Sequence, residues 1–173
     1  MWTRLSRIFK HRWQSDAAAR SAIPPELLDS LSEQVKRSES GHSGEIRIFV
    51  EAGLPLSYLK RQTSMAQITR ERALAMFGKL RVWDTAHNNG VLIYLLLAER
   101  RIEIVADRGL NERVAPDTWQ NLVQGMRAAF KAGDFESGLT QAVQEVSALL
   151  KQHFALQAGQ NNPNELPDRP VLN

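Results

Sequence analysis

Two short hydrophobic runs, joined by a charged turn, dominate the middle of the chain. Residues 91–97 are apolar throughout, and seven residues are too few to cross a membrane. Residues 101–107 are rich in β-branched side chains and lead into the sequence Asp107-Arg108-Gly109. Because only a short charged stretch separates the two runs, the pattern predicts an antiparallel β-hairpin with polar groups at its open end.

A further strand and a long helix are predicted before this hairpin. Residues 45–51 alternate polar and apolar side chains over their first half, which predicts a strand. Residues 57–77 contain neither proline nor glycine and are predicted to form one helix. A strand, a long crossover and a second strand are typical of parallel pairing, so 45–51 and 91–97 should lie parallel. The predicted fold is therefore α/β: a three-layer α/β/α sandwich with a small mixed sheet.

Helical spacing of apolar residues predicts the layers that cover this sheet. The predicted helices are 2–13, one from Pro24-Pro25 to the loop 38–44, 116–131, and 135–154 with Asp134 as its N-cap. We divide the chain into a basic amphipathic helix within residues 1–20, one domain over 21–156, and a tail over 157–173. The tail lacks periodicity and contains three prolines, so we expect it to be disordered.

The composition excludes several classes of function. The chain has 173 residues, of which 43% are hydrophobic and 24% are charged, as is typical of one globular domain. It has no cysteine, which excludes disulfides, zinc–thiolate sites and cysteine nucleophiles. No stretch is apolar enough for a transmembrane helix, and basic residues interrupt any signal-peptide core. We therefore expect a cytoplasmic protein without a transmembrane segment.

The positive charge of the chain is concentrated in its first twenty residues. The whole chain carries a net charge of +3, while residues 1–20 hold five basic side chains and one acidic one, so the remainder is slightly acidic. The apolar stripe of this basic helix predicts that it docks on its own domain or on a neighbouring chain. The alternative is peripheral contact with an anionic membrane surface. Nucleic-acid binding is not expected, because the basic residues of 57–77 lack a row of aromatic side chains for stacking.

Polar residues are predicted to meet at the open end of the hairpin. If Leu97 pairs with Ile102, then Leu92 pairs with Asp107, which lies beside the turn 88–90. Carboxylate and amide oxygens suit a hard cation, so the sequence predicts a weak Ca²⁺ or Mg²⁺ site. The candidate ligands are Asp84, Asn88, Asn89 and Asp107, and the further residues at this rim are His42, Glu45 and Arg108. For Asp84 and Asp107 the alternatives are turn capping and ion pairs with Arg81 or Arg108.

No catalytic residue is assigned from the sequence. The segment 41–45, Gly-His-Ser-Gly-Glu, lacks the last glycine of a nucleophile elbow and precedes a strand instead of following one. The four histidines show no spacing typical of metal ligands, and no phosphate-binding glycine loop is present. These observations disfavour nucleophilic Ser43, a His42 general base, and nucleotide hydrolysis.

The hairpin region resembles the TPM domain, a module of thylakoid acid phosphatase-like, photosystem-repair and many bacterial proteins. The family typically reads Asp-Asn-Gly-Val-Leu, a strand, and Gly-Tyr-Gly-Leu, and this chain has Asn-Asn-Gly-Val-Leu at 88–92 and Asp-Arg-Gly-Leu at 107–110. The segment 133–139 is similar to the family's Gly-Asp-Tyr-x-x-Gly-Leu. The resemblance implies the TPM fold, divalent-cation binding and, in some members, acid phosphatase activity at the same rim.

The resemblance and the residues together lead to two functional hypotheses. The first is a cation-binding or protein-interaction module that acts with a partner protein, near a membrane surface. The alternative is a metal-dependent acid phosphatase acting on phosphomonoesters. The chain has Asn88 where the family has an acid, which removes one negative charge from the rim. This replacement weakens the expectation of both tight cation binding and catalysis.

Overall fold

The structure is a computed structural model that describes residues 2–13, 16–157, 159–160 and 162–173. Its helices and strands, in chain order, are α1 (Trp2–Trp13), α2 (Asp16–Ala22), α3 (Pro25–Glu39), β1 (Ile46–Glu51), α4 (Leu56–Leu59), α5 (Met65–Lys79), β2 (Val91–Leu96), β3 (Arg101–Ala106), α6 (Arg108–Asn111), α7 (Pro116–Ala132), α8 (Phe135–Phe154) and β4 (Val171–Leu172). A 3₁₀ turn, Leu97–Glu99, joins β2 to β3.

The four strands form one mixed sheet in the order β3-β2-β1-β4. β1 and β2 are parallel, and β2 and β3 are antiparallel, as the sequence predicts. Every residue of β1 and of β2 is buried, which is typical of parallel strands covered on both faces. The sheet therefore has a fully covered centre and two edges, β3 and β4.

Helices cover the two faces of the sheet and produce two hydrophobic clusters. On one face Ile48, Ile93 and Ile104 pack with residues of α3, α7 and α8. On the other face Phe49, Leu92 and Val105 pack with α4 and α5. Alternate strand residues thus enter opposite clusters, as the pleat requires. This arrangement confirms the predicted three-layer α/β/α sandwich with a small mixed sheet.

The register of the hairpin differs from the predicted one by two residues. Leu95, and not Leu97, lies opposite Ile102. The cause is the 3₁₀ turn over 97–99 together with Arg100, whose φ of 48° is left-handed, so the connection takes up residues assigned to the strands. A two-residue shift leaves each side chain on its expected face, and Asp107 still reaches the turn, since its N–H donates to the Gly90 carbonyl at 2.9 Å.

The crossover between β1 and β2 is two helices and not the single predicted one. α4 ends at Leu59, and α5 begins after Ser64, whose hydroxyl accepts a hydrogen bond from the Gln67 N–H at 3.2 Å. A serine N-cap satisfies a free donor at the start of a helix, and this local bond competes with continuation of the helix through 60–64.

The described part of the tail is part of the sheet, which corrects the expectation of disorder over 157–173. β4 pairs in parallel with β1, with Phe49 opposite Val171. Leu166 is buried in the cluster formed by α4 and α5. The backbone groups along the free side of β1 provide the pairing, and pairing through the backbone leaves no hydrophobic period in the tail sequence.

The N-terminal helix α1 contacts the domain through Ile8 of its predicted apolar stripe and through a histidine. His11 is buried; its Nδ1 accepts a hydrogen bond from the Leu54 N–H at 3.0 Å, and its Nε2 lies 3.0 Å from Glu99. Ile8 packs against the cluster on the same face. The side chains of residues 2–5 and 13 lie outside those described, and Phe9 is 61% exposed.

We expect His11→Ala to lower the free energy of unfolding by about 1–3 kcal/mol, because it leaves the buried Leu54 N–H without its acceptor. Chemical denaturation measures this change, and Arg12→Ala, at an exposed position of the same helix, is the control. Unchanged stability of His11→Ala, together with loss of liposome binding when residues 1–13 are deleted, would make α1 a membrane anchor instead.

Candidate functional site

The open end of the hairpin brings the turn 88–90 against the start of α6. The Gly109 N–H donates to the Asn88 carbonyl at 2.8 Å. A Cβ atom at Gly109 would lie 2.5 Å from the His87 carbonyl, and one at Gly90 would lie 2.0 Å from the Val82 carbonyl. Only glycine allows such close backbone approach, so Gly90 and Gly109 permit the turn and the start of α6 to pack together.

Asp107 lies at the centre of this rim and caps α6. Its Oδ1 accepts a hydrogen bond from the Arg108 N–H at 2.7 Å. Its Oδ2 is buried and has no hydrogen-bond partner among the described residues. The capping alternative for Asp107 is therefore present in the structure, and one carboxylate oxygen remains uncommitted.

Asn89 holds the turn against the segment before β1. Its backbone N–H donates to Thr85 Oγ1 at 3.1 Å, and its Nδ2 donates to Ser43 Oγ at 3.2 Å. The residue is fully buried, and its Oδ1, like Asp107 Oδ2, has no partner within the described chain. A buried amide oxygen without a donor is uncommon, and it is a potential cation ligand.

Asn88 and Arg108 form a pair at the same rim. Asn88 has a φ of 51°, a left-handed conformation that asparagine tolerates better than most residues. Its Oδ1 accepts hydrogen bonds from Arg108 Nε at 3.1 Å and Nη2 at 2.8 Å. The guanidinium thus already supplies a positive charge to the amide oxygen predicted to bind a metal ion.

Asp84 is engaged elsewhere. Its Oδ2 lies 2.6 Å from Arg81 Nη2, and its side chain is 48% exposed. This exposed ion pair is the alternative that the sequence left open for Asp84. The structure therefore brings Asn88, Asn89 and Asp107 to one rim but holds Asp84 on Arg81.

Glu45 connects the rim to the tail. Its two carboxylate oxygens accept hydrogen bonds from the N–H groups of Glu165 and Leu166, each at 3.2 Å. The Glu165 carboxylate in turn accepts the Ala86 N–H, at 3.0 and 3.2 Å to its two oxygens. Sequence reasoning missed Glu165 at the rim, because an acidic residue in a segment without periodicity gives no signal of its position.

His42 and Glu39 are buried beside Glu45, and both have displaced pKa values. Burial lowers the pKa of His42 to about 4, and its Nδ1 lies 3.0 Å from the Gly44 carbonyl. Burial, followed by the charges of Glu45 and Asp168, raises the pKa of Glu39 to about 8. With so low a pKa the His42 ring is a weak base, and it is also enclosed, which disfavours a role as general base. Glu39 was not among the predicted rim residues.

The rim has few groups with which to bind a metal ion. Within the described ranges, no three histidine, aspartate or glutamate side chains are grouped as a metal site. What the rim offers is two buried oxygens, of Asn89 and Asp107, for which the described residues provide no hydrogen-bond donor, while the Arg108 guanidinium bonds to the neighbouring Asn88.

The fold and this turn define a class of protein: a three-layer α/β domain in which an Asn-Gly turn packs against an Asp-x-Gly helix start. The family model described as TPM domain matches residues 19–149, so the chain belongs to the TPM domain family. The resemblance found in the sequence is thereby confirmed. The match ends before the tail that carries Glu165.

A solved structure has the same fold. The NMR structure of the BA42 protein from the psychrophilic bacterium Bizionia argentinensis is similar to this chain with a TM-score of 0.71 and 25% sequence identity. The similarity covers 87% of this chain and 95% of that one. A comparison with curated proteins found no match.

The raised pKa of Glu39 predicts a dependence of stability on pH. The folded protein holds this proton up to about pH 8, whereas the unfolded chain releases it near the ordinary pKa of 4.5. The free energy of unfolding should therefore fall as the pH rises between these values. Glu39→Gln should reduce that fall, and chemical denaturation at several pH values measures it.

Between pH 6.5 and about 8 the change in stability reports on Glu39 and not on His42, because His42 affects stability only below its ordinary pKa of 6.5. Glu33→Gln, at an exposed position of the same helix, is the matched control and should keep the slope of the wild type. Equal slopes in Glu39→Gln and the wild type over this interval would show that Glu39 is ionised in the folded protein.

Proposed function

We propose that this TPM domain is a binding module that takes a divalent cation weakly at the rim of the hairpin. The observation that supports it is that two buried oxygens at the open end of the hairpin, Asn89 Oδ1 and Asp107 Oδ2, have no hydrogen-bond partner among the described residues. Buried acceptors without donors are costly, and a cation or an ordered water would satisfy them. Oxygen ligands favour Ca²⁺ or Mg²⁺ over transition metals.

Three features of the rim make the expected affinity low. Ca²⁺ takes about six to eight oxygen ligands, and the rim supplies one uncommitted carboxylate oxygen, so water would have to supply most of the rest. Both oxygens are shielded from solvent, so an ion reaches them only if the loop shifts. The Arg108 guanidinium, bound to Asn88, repels a cation. When bound, the ion would supply a positive charge that links the turn 88–90 to α6.

We expect millimolar Ca²⁺ or Mg²⁺ to shift the amide NMR signals of the turn 88–90 and of Asp107. Asp107→Asn should abolish these shifts, because it removes the carboxylate whose Oδ2 is buried without a donor among the described residues. Asn88→Asp should strengthen binding, because it adds a negative charge beside Arg108. The measurement is a two-dimensional ¹H–¹⁵N titration with each ion.

Asp84→Asn is the matched control, because it makes the same chemical change on a carboxylate that is paired with Arg81. This variant should bind as the wild type does. Signals that move only outside the rim, or an effect of Asp84→Asn equal to that of Asp107→Asn, would refute the assignment of the ligands.

The phosphatase alternative has little support in the geometry of the rim. Ser43 Oγ accepts the Asn89 amide, while both nitrogens of the His42 ring are buried, one against the Gly44 carbonyl. No nucleophile and base are therefore aligned at the described rim. A cation held by one carboxylate is also bound too weakly to activate water efficiently.

We expect hydrolysis of p-nitrophenyl phosphate by the purified chain to be absent or very slow, with or without Ca²⁺ or Mg²⁺. Release of p-nitrophenol, followed at the optical absorbance of the product, measures it. Robust turnover that Asp107→Ala abolishes, while circular dichroism shows an intact fold, would establish the phosphatase alternative and refute the non-catalytic one.

Peripheral contact with a membrane surface is a separate part of the proposal. No helix in the described portion of the chain is both long and apolar enough to span a membrane. The exposed Phe9, between basic residues on α1, supports contact with an anionic surface instead. The liposome measurement on the chain lacking residues 1–13 tests this contact.

A further inference from the structure

A groove of about 630 Å³ runs between α7 and β3, on the side of the sheet away from β4. We call it the α7–β3 groove. It extends along the whole of β3, from Arg101 to Ala106, and along α7 from Pro116 to Lys131. A cavity of this volume is in the range of pockets that enclose ligands.

The groove runs along an unpaired strand edge. The Asp107 N–H bonds to the Gly90 carbonyl, so in an antiparallel ladder the residues that face β2 are 101, 103, 105 and 107. The N–H and C=O groups of Ile102, Ile104 and Ala106 therefore point outward, where no strand of the described chain lies. Arg70 Nη1 bonds to the Ile104 carbonyl at 2.6 Å, which confirms the direction and covers one of these acceptors.

Apolar side chains line the interior of the groove. Ile102, Ile104 and Phe130 belong to one hydrophobic cluster and also contribute to the groove wall. Trp119 is half-buried on the α7 side, and its indole N–H has no acceptor within the described residues. An edge strand beside an apolar trough is the geometry in which extended peptides bind by strand addition.

The charges around the groove indicate whether it favours a positively or a negatively charged ligand. Five basic side chains and two acidic ones line it. Glu99 is paired with Lys10 and His11, and Glu103 is paired with Arg70 and Arg101. Arg100, Arg127 and Lys131, at the end where β3 begins, make no ion pair in the part of the chain that the structure describes. This end of the groove therefore attracts negative charge.

We propose that the α7–β3 groove binds an extended acidic segment of a partner protein, which adds to β3 as a further strand. Backbone hydrogen bonds to residues 102–106 hold the segment, and its apolar side chains enter the trough. Its carboxylates lie beside Arg127 and Lys131 at the basic end. The proposal does not depend on cation binding, because the groove and its charges are present without a metal ion.

The test uses a fluorescein-labelled peptide of alternating glutamate and valine residues, matched in length to β3, in buffer containing EDTA. We expect saturable binding by fluorescence anisotropy, with NMR shifts at the amides of Ile102, Ile104 and Ala106. The double variant Arg127→Glu/Lys131→Glu should bind roughly tenfold more weakly, because two attractive charges become repulsive. Both positions are exposed, so the fold should persist.

Two controls separate strand addition from general attraction of charge. The variant Lys36→Glu/Arg37→Glu makes the same charge change at exposed positions of α3 and should bind as the wild type does. A peptide methylated on alternate backbone nitrogens keeps the charges but loses the donors to β3, and it should bind at least several-fold more weakly.

Several results would overturn the proposal. These are an absence of saturable binding at millimolar peptide, equal binding of the methylated peptide, equal binding of a peptide with lysine in place of glutamate, and NMR shifts confined to other surfaces. Tight binding of single-stranded DNA would assign the basic end to nucleic acid instead. Self-association in sedimentation experiments, abolished by Arg127→Glu/Lys131→Glu, would show that the groove is filled by a second copy of the chain.

Discussion

Burial of β1 on both faces is the constraint on which the rest of this structure depends. The strand is central and parallel to β2, so helices must cover it from both sides, yet its sequence places Arg47 and Glu51 within it. A buried charge is tolerated only when it is paired or hydrogen-bonded. Glu51 accepts hydrogen bonds from Arg72 of α5 and from the Tyr94 hydroxyl of β2, at 2.5 to 3.1 Å. One carboxylate thus ties the crossover helix to both central strands.

The same constraint explains the position of the tail. Arg47 donates to the backbone carbonyls of Pro167 and Arg169, and Glu45, just before the strand, accepts N–H groups of the tail. The tail thereby satisfies the polar groups at the start of β1 and supplies β4 at its free edge. A consequence for function is that Glu165 reaches the loop before the turn 88–90. The tail lies outside the family match, so this contact is a feature of the chain beyond the matched TPM domain.

The two edge strands of the sheet, β3 and β4, differ in length: β4 has two residues and β3 has six. In the described part of the chain, no strand pairs with the outer side of β3, and the Arg70 side chain bonds to one of its outward carbonyls. Proteins usually protect an open edge with charged side chains, bulges or short length. Here basic side chains lie along the edge and at one end of an apolar trough, and the proposed preference of the groove for negative charge rests on this placement. At the rim, by contrast, the Asp84 carboxylate is paired with Arg81, and the Arg108 guanidinium bonds to the uncharged amide of Asn88.

The sequence alone determined the features that depend on periodicity and on local turn chemistry. Alternation and apolar runs predict β1, β2 and β3, their relative directions, and helices α1, α3, α7 and α8, because each helix has one regular apolar face and each strand has either alternating residues or a short apolar run. The glycines at 90 and 109 mark the family turn, since close backbone approach tolerates no side chain there. The meeting of Asp107 with this turn also follows, because a two-residue error in register leaves faces unchanged.

Only the tertiary structure decided which polar groups are partnered. Asp84 turns to Arg81, Asn88 to Arg108, and Glu45 to the tail, and each choice depends on side-chain geometry over a few ångströms that spacing in the sequence does not specify. Glu165 and Glu39 join the rim through contacts of segments far apart in the chain. The tail strand pairs through backbone groups that every residue has, so no side-chain pattern announces it.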